Sequence, residues 1–357
     1  MEYRQFGRNC GLRLSKLTFG TITFGGANGM EEFGHVDVET ARQMFDMCLE
    51  YGINMIDTAN MYSVGLAEEI TGEALDDPRY DALMVTSKVR MVVGDGPNDG
   101  GASRWHILDQ VEKSLKRLRR GHLDLYYLHE WDGQTPLEET LQTMDGLVRQ
   151  GKIRYYGVSN YTAWQLMKVL MACERHGFIK PVSQQIYYTP QAREAELEMI
   201  PAALDQGVAS QIWSPLAGGS LTGKFRRDQP EVEGTRQTDG GWTAVRVPDR
   251  DNLYDMVDVL SEMAADKGVT VPQLGLAWVM GRPGVASVVV GARTVEQWQD
   301  SLGALDVALT EDEAKRIDAV SPPPMMYPFW HQADLATDRL SAADEHIVAT
   351  VKETYLS

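Results

Sequence analysis

Short runs of β-branched and aromatic residues return eight times along this chain, each followed by an amphipathic stretch of helical period. That alternation constrains the fold more than any other feature of the sequence. The strand-like runs are LTFGT (17–21), NMIDT (54–58), LMVTSK (83–88), LDLYYLH (123–129), IRYYGVSN (153–160), VSQQIYY (182–188), ASQIWSPL (209–216) and ASVVVGA (286–292). Helix-like segments lie near 39–51, 66–76, 104–119, 137–150, 162–176, 192–206, 253–267 and 295–304, with an extra one at 271–281. Asp37 or Glu39 and Ser103 are helix starters, and Gly52, Gly151, Gly177, Gly207 and Gly268 stand just past helix ends. Strands alternating with helices imply βαβ units and a parallel sheet. Eight repeats without a polar linker between two halves predict one (β/α)8 barrel, about 15–320, in a single domain spanning 1–357.

Three segments fall outside the repeat: 90–103, 217–250 and the tail 321–357, which opens with SPPPMMYPFW. Long loops after barrel strands lie on the catalytic face, so these are expected to wall a pocket, the tail folding over the active-site face. Glu130, Trp131, Tyr327, Phe329 and Trp330 are the expected wall residues outside the two loops.

The chain has 357 residues and a net charge of −17, which argues against nucleic acid and an anionic membrane surface as partners. Cys10, Cys48 and Cys173 show neither disulfide nor metal spacing, so no metal site is expected. The polar first residues and the lack of an apolar run of roughly 18 residues make the cytoplasm the expected compartment.

Four reactive side chains stand at or just after strand ends: Asp57, Tyr62, Lys88 and His129. Singly, each suits an ordinary role: a capping carboxylate, a loop aromatic, a solvated ammonium, a core imidazole. Jointly, the barrel brings them to one rim, where a buried Lys88 needs a buried Asp57 as its counter-ion. Reducing a carbonyl calls for a hydride donor and a proton donor at the oxygen. A tyrosine, with an ordinary pKa of about 10, becomes a better acid beside an ammonium, and a histidine can orient the carbonyl.

The stretch GINMIDTANMYSVGLAEEITGEAL (52–75) resembles the aldo-keto reductase signature. The resemblance continues through VTSKV (85–89), LDLYYLHEWDGQTPLEET (123–140), GKIRYYGVSNY (151–161) and WSPLAGGSLTGKF (213–225), covering roughly 3–320. It is nearest in pattern to the branch holding the beta subunits of voltage-gated potassium channels and their bacterial relatives. The resemblance implies Tyr62 as proton donor, Asp57 and Lys88 as its tuning pair and His129 as the orienter. Those channel subunits carry Asn where this chain has His129, which favours an active reductase here.

No G-x-G-x-x-G fingerprint follows a strand. The family resemblance implies NADPH/NADP+, with NADH the lesser candidate, held by Thr21 and Ile22 after the first strand and by Asp57. It places Ser159, Asn160 and Gln185 at the nicotinamide amide and Trp213 stacked on its ring. Ser214, Leu216 and Gly218 fall on the pyrophosphate side, with Ala217 and Gly219 letting the backbone approach. Lys224, Gly291, Arg293 and Gln297 serve the phosphate and adenosine end, and Arg293 favours the 2′-phosphate. Arg226 and Arg227 read as solvated loop cations. Relatives commonly have Glu-Asn where this chain has Asp300-Ser301, a departure at the adenine end.

The expected function is an oxidoreductase acting on an aldehyde or ketone. The alternative is an NADP(H)-binding redox-sensing subunit of a larger complex. A Schiff-base barrel using Lys88 is disfavoured by its carboxylate partner Asp57. The carbonyl substrate and the oligomeric state, homo-oligomers included, stay open at this level.

Overall fold

The computed structural model describes residues 1–229, 232, 245 and 247–356. Residues 230, 231, 233–244 and 246 of the expected pocket wall at 217–250 lie outside the described residues.

Two short antiparallel strands, β1 (Tyr3–Gln5) and β2 (Arg13–Ser15), precede eight parallel ones. These are β3 (Leu17–Gly20), β4 (Met55–Asp57), β5 (Met84–Val89), β6 (Leu123–Leu128), β7 (Ile153–Ser159), β8 (Ser183–Tyr187), β9 (Ala209–Trp213) and β10 (Val285–Val290). The sheet from β3 to β10 closes on itself, with β10 pairing parallel to β3, so the expected (β/α)8 barrel is the observed fold. The helix starters work as expected: Asp37 accepts from Thr40 N at 2.9 Å and Ser103 from His106 N at 3.3 Å. The expected helix 192–206 is shorter, Met199–Gln206, because 194–196 forms a separate 3-10 turn. Pro201 then sits in the first helical turn, where its missing N–H costs nothing.

Successive side chains of a strand face opposite sides. Ile56, Val85, Tyr126, Leu128, Ile186 and Ile212 face the outer helices and join the main core. Their neighbours face the barrel axis. At the strand starts Met55, Leu125, Val182, Ala209 and Ala286 meet Phe6 and Leu14 from the hairpin segment, an apolar plug closing the N-terminal end. Tyr127 belongs to the same cluster, and its ring crosses so close to β7 that a Cβ on Gly157 would lie 2.4 Å from it. Only glycine fits there. Above the plug the interior turns polar, with Thr18, Ser183, Gln211 and Ser287 all buried.

The tail 321–357 packs against the segment that follows β8, and no described residue of it lines the main cavity. Ala333, Ile347, Val348 and Val351 bury themselves against Leu197, and His346 and Ile347 lie beside Tyr188, Ile200 and Pro283. Polar pairing reinforces this placement: Glu196 accepts from Arg193 at 2.8 Å through each oxygen, His346 Nε2 lies 3.1 Å from Glu196, and Arg282 Nη2 lies 2.9 Å from His346. Among the described residues no helix is long and apolar enough to cross a membrane, and no cluster of side chains could hold a metal ion.

Candidate active site

The inward alternation carries Asp57, Lys88, Ser159, Gln185 and Trp213 to the C-terminal ends of their strands, and His129 stands one residue past β6. Tyr62 needs a further device. It opens the turn Tyr62–Gly65, in which Ser63 (φ 47°) and Val64 (φ 51°) adopt left-handed backbone that non-glycine residues disfavour. The loop after β3 holds this turn in place: Ser63 Oγ donates to Phe24 O at 3.1 Å and Asn28 Nδ2 to Ser63 O at 2.9 Å. Nothing in the sequence signals the strained turn beyond the short spacing from Asp57 to Tyr62.

The four side chains converge. Lys88 Nζ donates to Asp57 Oδ1 at 2.5 Å, to Thr58 O at 2.9 Å and to Tyr62 Oη at 3.2 Å, so all three of its donors are used. The His129 ring meets the Tyr62 ring edge-on, with centroids 6.1 Å apart. Burial opposes the Lys88 ammonium, but Asp57 and Tyr62 outweigh it and hold the pKa above the ordinary value. Burial, with Lys88 and Arg90 adding to it, drives His129 well below its ordinary range, so the imidazole is neutral. The direction for Tyr62 corrects the sequence-based expectation. Burial raises its pKa and the Asp57 charge adds to that, while Lys88 pulls the other way without winning. The phenol therefore rests fully protonated.

Tyr62, His129 and Asp57 open on a cavity of about 890 Å³, within the range of roughly 300–1,000 Å³ usual for ligand sites. Lys88 lies behind them, fully buried and outside the lining. Every other residue expected to touch a cofactor lines the cavity. Thr21 and Ile22 come from the β3 exit, Ser159 and Asn160 from β7 and Gln185 from β8. Trp213, Ser214, Leu216, Gly218 and Lys224 follow along β9 and its loop, and Gly291, Arg293 and Gln297 follow β10. Asn160 is more committed than expected: its Nδ2 donates to His129 O at 3.1 Å and its Oδ1 accepts from the Trp213 indole at 2.9 Å. Arg293 donates from Nε to Phe33 O at 3.1 Å and from Nη2 to Glu32 O, tying the loop after β3 to the exit of β10. Arg226 and Arg227 face away, paired with Asp258 and with Asp251 and Asp255.

The expected walls contribute unequally. Met91 lines the cavity from the loop 90–103, whose far end is pinned where Ala102 N donates to Asp132 at 2.7 Å. Glu130 also lines it. Trp131 instead packs against Tyr161 and Trp164, and no described tail residue takes part. Met61, Phe33, Thr270 and Pro272 are wall residues the sequence reading missed, because nothing local marks them as convergent.

A nicotinamide dinucleotide fits this wall. Ser159 Oγ, Thr21 Oγ1 and His129 Nδ1 are buried polar atoms with no partner among the described residues, and each belongs to a lining residue. Their donors and acceptors suit a carboxamide and a substrate oxygen at the end nearest Tyr62.

The sequence pattern of the aldo/keto reductase family matches residues 16–322. The chain belongs to that family. This aldo/keto reductase is 35% identical to an uncharacterized oxidoreductase, YrpG, of Bacillus subtilis (strain 168), over 91% of this chain and 97% of the relative. It is 33% identical to a probable voltage-gated potassium channel subunit beta of Arabidopsis thaliana, over 86% of this chain and 92% of the relative. A protein of the same description from Oryza sativa subsp. japonica is also 33% identical, over 90% and 96%. The family and the Bacillus relative mark this aldo/keto reductase as an oxidoreductase, and the plant relatives place it on the branch the sequence motifs resemble.

Proposed function

We propose that this aldo/keto reductase reduces an aldehyde or ketone to the alcohol at the expense of NADPH, with Tyr62 as the proton donor. The observation that carries the reading is the Tyr62 hydroxyl at 3.2 Å from a lysine that is itself locked to Asp57, with a neutral imidazole beside it.

The cofactor supplies the hydride that the carbonyl carbon receives. Tyr62 gives its proton to the carbonyl oxygen, and the Lys88 ammonium stabilises the phenolate left behind, which is where the ion pair does its catalytic work. Neutral His129 donates one N–H to the same oxygen and fixes the carbonyl's orientation. Ser159 and Gln185 suit the nicotinamide amide, while Asn160, hydrogen-bonded to His129, Trp213 and Glu130, holds the wall in shape. Trp213 offers its ring face, Ser214 its hydroxyl proton, and Lys224 and Arg293 charge for the phosphates. Glu296 and Asp300 line the same end, and carboxylates there suit ribose hydroxyls, so NADH is the second reading for the cofactor.

The partner in this reading is a small carbonyl compound rather than nucleic acid or a membrane, in keeping with the net charge of −17. The free cysteines Cys10, Cys48 and Cys173 suit the cytoplasm. The names of the two plant relatives, channel subunits, favour a second function, a subunit of a larger complex; the nicotinamide binding in that reading comes from the cavity proposed above. Consumption of NADPH and NADH with a panel of aldehydes and ketones, in wild type and Tyr62→Phe, tests the proposal. Turnover that falls about 10²–10⁴-fold in the variant supports it. Equal rates in the two proteins, or cofactor binding with no turnover on any carbonyl, refute it.

A further inference from the structure

The polar layer at the barrel's centre forms a hydrogen-bonded chain whose direction is fixed by its lower end. Ser287 Oγ lies 2.8 Å from Ser15 O, and a carbonyl can only accept, so the Ser287 proton is spent there. The contact of 2.8 Å between Thr18 Oγ1 and Ser287 Oγ must then be filled by the Thr18 proton. Thr18 is left with lone pairs toward Gln211, and the Gln211 atom 3.1 Å away has to be the amide nitrogen, Nε2. Gln211 Oε1 therefore points the other way. There it accepts from Tyr127 Oη at 3.1 Å and from Gln185 Nε2 at 2.8 Å. Tyr127, having spent its proton, accepts from Ser183 Oγ at 2.7 Å. Gln185 Nε2 also reaches Asp57 Oδ2, at 2.9 Å. Gln185 is thus flanked by two acceptors, both its amide protons are committed to them, and its Oε1 is left for the cavity it lines.

We infer that Gln211 is a positioning residue: together with Asp57 it clamps the Gln185 carboxamide so that its oxygen faces the nicotinamide end of the cavity. Gln211 is fully buried and does not line the cavity, so any influence on a bound cofactor passes through Gln185. The inference rests on the nicotinamide site proposed above. Were Gln211 inverted, its NH₂ would face the NH₂ of Gln185, and one of the two would lose a bond. The Ser15–Ser287–Thr18 end of the chain forbids that inversion. The sequence hides this because Gln211 lies two residues before Trp213 and reads as an interior polar residue of a strand, with no motif around it.

A double-mutant cycle on the NADPH dissociation constant tests the inference, read by fluorescence titration of the purified full chain with NADH in parallel. Gln211→Met is expected to weaken NADPH binding roughly fivefold, the scale of one hydrogen bond, in the protein that keeps Gln185. In a Gln185→Leu background the same change is expected to have no further effect. Ser287→Ala, a smaller perturbation, frees Thr18 to donate to Gln211 and invert it, and is expected to copy both results. It decides the matter should Gln211→Met fail to fold. Equal losses in the two backgrounds, or no loss in either, overturn the inference while leaving the NADPH site intact. Failure of the wild type to bind either nucleotide overturns the site and this inference with it.

Discussion

Lys88 Nζ lies 2.5 Å from Asp57 Oδ1, with exposures of 0% and 2%. Removing one member strands the other charge in the barrel. Asp57→Ala should destabilise the fold by about 3–5 kcal/mol, whereas Asp57→Ala with Lys88→Met should recover most of that loss. Urea unfolding of the three proteins checks this, and the double variant should remain inactive.

The pH profile follows from the two titrating groups that face the substrate. Reduction needs protonated Tyr62, whose pKa burial holds above 10.0, and neutral His129, whose pKa burial holds well below 6.5. Steady-state reduction rates should therefore be flat between those two values, with the alkaline fall above the upper one. Stability carries the same signature. An unfolded chain protonates His129 as the pH falls through 6.5 while the folded one does not, so folding is favoured above 6.5 and loses that contribution toward the folded pKa. His129→Asn should flatten this part of the acid limb in urea midpoints measured against pH.

The clamp on the tail gives a third expectation. Burial opposes ionisation of Glu196, but His346, Arg193 and Arg282 overcome it and hold the carboxyl far below 4.5. Its contribution to stability is present above 4.5 and is lost as the pH falls toward the folded value. Glu196→Ala leaves Arg193 with only the more distant Asp318, at 3.5 Å, and should cost on the order of 3 kcal/mol, with faster proteolysis in the exposed stretch 336–339. The turnover number at neutral pH should not change, because no described tail residue lines the cavity.

Arg293 separates the two cofactor readings. If it meets a 2′-phosphate, Arg293→Met should weaken NADPH about 10–100-fold and NADH much less, in line with a charged hydrogen bond. Equal weakening of both nucleotides would assign Arg293 to the loop carbonyls of Glu32 and Phe33 alone.

The barrel and the convergence of Asp57, Lys88 and His129 were legible because both depend on local periodicity and on one topological rule: eight strands, side chains alternating, strand ends on one rim. What stayed hidden depends on contacts between distant segments. The left-handed turn at Ser63 and Val64 is imposed by Phe24 and Asn28, and the Asn160 bridge spans three strand ends. The raised pKa of Tyr62 reflects a depth of burial that no spacing reports. The tail motif with Tyr327 and Trp330 suggested a pocket wall, whereas the apolar spacing of Ile347, Val348 and Val351 and the charge of Glu196 seat the tail against the segment after β8.

Among the described residues the plug of Phe6 and Leu14 and the buried polar layer above it fill the barrel. The cavity floor at Asp57 and Gln185 is therefore closed, and traffic passes through the open end. Traffic through one doorway is last in, first out. Under the proposed reaction, the molecule seated deepest, against Asp57 and Gln185, has to arrive before its co-reactant and cannot depart until the alcohol has gone. The packed interior beneath the cavity, remote from any reacting atom, would thereby set the sequence of events in each turnover.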